Sequence, residues 1–217
     1  MDWALANLPR ILSLTVDHLL LSLPAVAAAF LLALPLGRVA DRLGRLREPL
    51  LGSAGLLYAI PSLPLFIVLP ILIGTGVRDA LNVIVALTLF GLALMVRSAA
   101  DAFGAVSQDV RLAAVAVGQS RWGAFLTVEL PLAGPALLAG LRVVSVSTIS
   151  LVSVSAVLGV ASLGSLFTDG FQRGIVPSIA AGIIMTVLLA VVVDLLLVGL
   201  GRLAMPWQRT QARRAGS

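Results

Sequence analysis

Two ionisable side chains stand inside long apolar runs of this sequence, Arg142 in the run 135–160 and Asp194 in the run 176–200. Charges at membrane depth are costly, so they pair with one another or line a polar path. Asp17 and His18 adjoin near the start of an earlier run. A carboxylate beside an imidazole can relay a proton, and two polar residues at a membrane boundary are the ordinary alternative. What is missing narrows the chemistry further. His18 is the single His and there is no Cys, which leaves no His-rich or thiolate metal site and no Cys nucleophile. All fifteen basic residues are Arg. Without Lys there is no Gly-Lys-Ser/Thr phosphate loop. The chain is therefore expected to be no enzyme, to bind no metal or cofactor, and to leave any nucleotide chemistry to another subunit.

The elements that must carry these residues belong in lipid. Apolar residues make up 59% of the 217, charged residues 12%, and mean hydropathy is +1.09. A soluble domain is nearer half apolar and a quarter charged. Five apolar runs stand out, at 19–36, 50–73, 81–96, 135–160 and 176–200. A spanning helix needs roughly 20 residues, and backbone groups in hydrocarbon must be satisfied within their own segment. The expected fold is an all-α integral membrane protein of about five transmembrane helices, one domain over 1–217. The third run is short. Residues 1–14 read as an interfacial segment leading into the first span.

Arg placement sets the orientation. Arg38, Arg42, Arg45 and Arg47 follow the first run; Arg97, Arg111 and Arg121 follow the third; Arg202, Arg209, Arg213 and Arg214 follow the fifth. With five spans these eleven share one side, and only Arg10, Arg78 and Arg173 fall on the other. The richer side is cytoplasmic by the positive-inside rule, with the N-terminus outside and the C-terminus inside. The net charge of +5 has the same origin, and no nucleic-acid partner is implied.

The connection 97–132 reads as two short helices. Ser107 is placed to cap the first, with Asp109 in its first turn. Gly118 can end it in a left-handed conformation. Ser120 can cap the second, and Pro131 is expected to end it. Trp122 and Phe125 are candidate anchors for a partner groove; a helix pair lying on the membrane is the equal alternative. The loop also carries a spaced pattern. Leu112-Ala113-Ala114 is followed after three residues by Gly118, after nine more by Val128, and then by Leu130-Pro131.

That pattern resembles the cytoplasmic motif of permease subunits of bacterial ABC-type importers. The family carries Glu where Leu112 stands and Ile where Val128 stands. The first change removes a charge and puts any family salt bridge there in doubt. The resemblance implies the type I importer permease core, with the loop as a coupling helix that docks on a separate ATPase. Ala113, Ala114 and Gly118 would lie at the contact, with Arg121 and Trp122 adjacent. It further implies two copies of a cytoplasmic ATPase that binds ATP-Mg, a second permease chain (identical or similar), an external solute-binding protein, and a bacterial inner-membrane location.

The stretch Tyr58-Ala59-Ile60-Pro61-Ser62-Leu63-Pro64, the triplet Gly140-Leu141-Arg142 and the segment 159–164 are similar to permeases for osmoprotectants such as glycine betaine, carnitine and choline. Methionine-type permeases share the same core. A proton- or ion-coupled secondary transporter using Asp194 is the alternative from another class. Tyr58 is the single Tyr, so an aromatic cage for a quaternary amine is expected on the binding protein.

Several residues are candidates for the path itself. Pro61 and Pro64 interrupt the second run, giving either a pore-lining gate with Tyr58 and Ser62 or a static kink. The fourth run carries Ser145, Ser147, Thr148, Ser150, Ser153 and Ser155. Ser145, Thr148 and Ser155 fall near one helix face and either line the path or mediate close packing. Arg142 and Asp194 would each sit about 10 to 13 Å from the cytoplasmic ends of their spans. Their mutual pairing is the expectation, with Arg97 as the alternative partner and snorkelling of Arg142 to the headgroups as the third possibility.

Overall fold

The computed structural model of the chain describes residues 2–207. A short helix α1 (Asp2–Ala6) precedes α2 (Leu8–Arg42). Pro9 lies in the first turn of α2, where its missing N–H would have no partner anyway. The helix therefore begins at Leu8. Residues 8–14, expected to form a separate interfacial segment, are continuous with the first span. Its 35 residues extend about 50 Å, so both ends project beyond a hydrocarbon core of about 30 Å.

The second span is two half-helices, α3 (Arg47–Ala59) and α4 (Ser62–Ile73), bent by 99°. Ile60 and Pro61 between them are extended, with ψ of 126° and 133°. Two interruptions were expected, and there is one. Pro64 falls in the first turn of α4, where an absent donor costs nothing.

Asp79 caps α5 (Ala80–Gly104) by accepting from the Leu81 N–H at 2.9 Å. The third span is thus not short: its last turns are polar and outrun the apolar stretch by which it was recognised.

After α5 come α6 (Gln108–Ala116) and α7 (Arg121–Ala124), a π-helical segment Phe125–Glu129, and α8 (Leu130–Val152). Pro131 does not end a helix here, contrary to expectation. The Leu130 N–H donates to the Phe125 carbonyl in the π register, and Pro131 then occupies the first turn of α8. The chain from Arg121 to Leu158 runs as one apolar helix of 38 residues, tightened to 3-10 form over Ser153–Leu158. An amphipathic helix α9 (Gly164–Arg173), which periodicity of long runs passed over, leads into α10 (Val176–Ala204).

Among the described residues four helices are long and apolar enough to cross a membrane, and the bent pair, taken as one span, brings the number to five. Among the described residues no strand occurs. The central helix is α5, packed on α2, α8, α3 and α4. More than half of its apolar window is buried (56%), against 11% for α10 at the periphery. Close approach rests on small residues. A Cβ on Gly37 would lie 2.5 Å from that of Ala99, so α2 and α5 touch where only Gly fits.

Candidate functional site

The loop 97–132 is built by its caps. The Ser107 hydroxyl accepts from the Val110 N–H at 3.4 Å, with Asp109 in the first turn of α6. Gly118 takes φ +87° and ends the helix, a conformation costly for a residue with a Cβ. The Gln119 N–H then returns to the Ala114 carbonyl at 3.1 Å. Ser120 starts α7 by accepting from the Gly123 N–H at 3.0 Å.

This geometry turns one face of the loop outward. Ala113 and Gly118 are exposed, as are Leu112, Val115 and Val117. Arg121 and Trp122 are exposed beside them. Ala114 differs from its neighbours: it is buried at 6% exposure and offers its side chain to the protein interior, not to a partner. The face is apolar and carries no acid where the family's Glu would stand.

A set of ion pairs beneath the loop fastens it to the end of α2. Arg111 pairs with Asp41 at 3.0 Å and reaches Glu129 at 3.7 Å. Both guanidinium nitrogens Nη1 and Nη2 of Arg38 meet the carboxylate of Glu129. Arg38 also lies over the rings of Phe125 at 5.0 Å and Phe103 at 5.9 Å. Burial of such a pair is tolerable only because each charge faces its partner. Sequence reasoning used these Arg residues for orientation alone and passed over Asp41 and Glu129. The signal was available: Glu129 is a lone acid in the apolar stretch 124–141, which is costly unless paired.

Arg142 and Asp194 meet between α8 and α10. Nε donates to Oδ1 at 2.6 Å and Nη2 to Oδ2 at 2.7 Å, a bidentate pair. Arg97 is not a partner of either, and lies 3.5 Å from Glu48 instead. Asp194 edges a shallow groove of about 310 Å³ that also takes in Ser150 and Thr186.

The path candidates separate into two groups. Tyr58 is 44% exposed, with its ring edge-on to Phe90 at 6.0 Å. Pro61 and Pro64 are exposed and Ser62 is half-buried, so the elbow of the second span faces outward from the chain. Ser145 and Thr148 do not belong with them. Both are buried, and the Ser145 hydroxyl donates to the Leu141 carbonyl one turn back. Among the alternatives weighed for that face, the geometry is that of packing.

His18 is fully buried, about 15 Å along α2 from its start. Its Nε2–H donates to the Ile149 carbonyl at 2.8 Å, and Nδ1 accepts from the Leu163 N–H at 3.3 Å. That carbonyl is free because the chain tightens: the Ser153 N–H bonds back to Ser150 and Leu151, not to Ile149. Both ring nitrogens are satisfied by a neutral imidazole, and His18 ties the turn before α9 to α8. Asp17 takes no part in this contact. Arg10 pairs with Asp169 and fastens α9 to α2.

Comparison with known proteins agrees with this arrangement. Residues 25–205 match the family described as binding-protein-dependent transport system inner membrane component. The osmoprotectant import permease protein OsmW of Salmonella typhimurium is 35% identical over 90% of this chain and 92% of its own length. The glycine betaine/carnitine/choline transport system permease protein OpuCD of Bacillus subtilis is 30% identical over 87% of this chain and 82% of its own. Among solved structures, a chain of the MetNI methionine ABC transporter in an inward-facing conformation superposes with a TM-score of 0.76. It covers 88% of this chain and 94% of the other at 17% identity, which carries the fold alone.

Proposed function

We propose that this chain, which belongs to the family of binding-protein-dependent transport system inner membrane components, is the permease subunit of an ATP-driven importer for an osmoprotectant such as glycine betaine, carnitine or choline. The observation that carries this reading is the match to the Salmonella osmoprotectant permease along nearly the whole of both chains. The loop geometry supports it from a separate direction. An exposed apolar face on a capped helical hairpin, held rigidly to the bundle by ion pairs, is what a coupling lever requires.

In this reading the whole chain is one permease domain in a bacterial inner membrane. Its Arg-rich end is cytoplasmic and its N-terminus external. The exposed loop face around Ala113, Val117 and Gly118 seats on a cytoplasmic ATPase, two copies of which hold ATP-Mg. A second permease chain completes the path, and an extracytoplasmic binding protein delivers the solute. Closure of the ATPases pulls on the loops. The pull reaches α2 through Arg111–Asp41 and Arg38–Glu129, and reaches α8 through the π segment, which joins it to α7 without a loop. The path is bounded by the exposed elbow at Tyr58, Pro61 and Ser62. Such a device is a two-state element biased by nucleotide at a distance.

The test is expression of this chain with a candidate ATPase and binding protein from the same organism, followed by purification and uptake of labelled glycine betaine, carnitine and choline. An ATPase retained in the preparation and uptake lost on ATP depletion are expected. A preparation without ATPase, or uptake that survives ATP depletion and is abolished by a proton uncoupler, sinks the proposal.

A further inference from the structure

We infer that the groove between the cytoplasmic end of α2 and the short helix α7 is a binding site for one anionic phospholipid, its phosphate held by Arg42 and Arg121 and one acyl chain laid along Leu31 and Pro35. The groove encloses about 450 Å³ and is lined almost wholly by apolar atoms except at one end. That end carries three guanidiniums: Arg38, Arg42 and Arg121. They are not equivalent. The charge of Arg38 is matched by Glu129, and the neighbouring Asp41 is matched by Arg111. Arg42 and Arg121 are exposed and have no acidic partner among the described residues. Two uncompensated positive charges therefore face the mouth of an apolar trough.

The dimensions match a lipid leaflet. From Arg42 to Leu31 the helix rises about 16 Å, and one leaflet of hydrocarbon is about 15 Å deep. The charged end thus sits at headgroup level while the apolar end lies at acyl-chain depth. Trp122, 75% exposed at the same level, is of the residue type that occupies that interface. Basic pockets at the cytoplasmic ends of membrane helices suit anionic headgroups. A cytoplasmic protein cannot reach the deep half of the trough, which is hydrocarbon-facing. A second copy of this chain would bring Arg42 and Arg121 against like charges.

The experiment uses the three Trp residues of the sequence. With Trp3→Phe and Trp207→Phe in the full-length chain, Trp122 is the sole indole. The chain is placed in nanodiscs of phosphatidylcholine carrying a minor fraction of either acyl-brominated phosphatidylglycerol or acyl-brominated phosphatidylcholine. Bromine quenches Trp122 only on contact. About fivefold preference per free guanidinium, or about thirtyfold together, is expected for the anionic lipid at equal mole fraction. The paired substitutions Arg42→Gln and Arg121→Gln bring the preference close to one. Arg45→Gln, an exposed Arg outside the groove, leaves it unchanged, which controls for general attraction to the disc. Equal quenching by both lipids overturns the inference, as does a loss of preference in Arg45→Gln matching that of the paired variant. Absence of quenching by either lipid gives the groove to protein and overturns it too. Relief of quenching by inorganic phosphate alone assigns the Arg pair to a free anion, against the lipid.

Discussion

Arg38 and Glu129, 91 residues apart in the chain, meet as a bidentate ion pair with both side chains nearly excluded from solvent. Removing one partner strands the other. Glu129→Ala leaves a buried guanidinium with no carboxylate paired to it, and is expected to destabilise the chain by about 3–5 kcal/mol. The double replacement Arg38→Met with Glu129→Leu removes both charges and should cost far less than either single change. None of these substitutions touches the Arg111–Asp41 pair. Thermal unfolding of the purified chain, followed by Trp fluorescence, reads the series. An unchanged midpoint for Glu129→Ala contradicts the buried pairing.

Arg142 and Asp194 pose the same question at membrane depth. Each reversal alone, Arg142→Asp or Asp194→Arg, places two like charges together between α8 and α10. Both are expected to lower accumulation of intact protein in the membrane. The exchange of both restores an opposite-charge pair and should recover most of the wild-type level. The bidentate geometry favours Arg at its present position, so recovery will be incomplete. A double exchange no better than the singles rules the pair out as the source of the loss.

Gly118 separates backbone strain from docking. Nothing lies within 4 Å of a Cβ built there, so its φ of +87° and not its space restricts the residue. Gly118→Ala should cost about 1–2 kcal/mol, while Gly118→Asn, which tolerates that conformation, should cost less. Val117 is 78% exposed and holds nothing together. Val117→Glu should leave the unfolding midpoint in place and still release the ATPase during purification. If Val117→Glu retains the ATPase as wild type does, the docking face lies elsewhere.

How far the sequence reaches is visible in these residues. The caps at Ser107, Gly118 and Ser120 are local chemistry, and local chemistry is written in adjacent letters. The Arg142–Asp194 pairing follows from cost: two opposite charges in apolar runs at matching depth have few alternatives. The Arg38–Glu129 pair was missed because Arg38 sits in an Arg-rich segment where topology already accounts for it. Span limits failed where helix outlasts hydrophobicity, at residues 8–14 and 97–104, and where π geometry carries Pro131 into a helix start. Ser145 and Thr148 show the remaining limit. A hydroxyl stripe looks alike whether it faces water or a neighbouring helix, and only the packing of α5 on α8 decides. Arg209, Arg213 and Arg214, used for orientation, lie outside the described residues.

His18 yields the last prediction, because its two contacts demand opposite roles of the ring. Nε2–H gives to the Ile149 carbonyl and Nδ1 takes from the Leu163 N–H. Phe at this position fills the space and satisfies neither group. Each buried backbone group left unpaired costs about 1–3 kcal/mol. His18→Phe is therefore expected to lower the unfolding midpoint and to speed amide exchange at Leu163 and through the turn before α9. Gln carries a donor and an acceptor on one planar group and should fall between Phe and wild type. A proton relay predicts a different order: transport would fail equally in Gln and Phe, with exchange at Leu163 unmoved. Exchange measured segment by segment in the two variants distinguishes a strut from a relay.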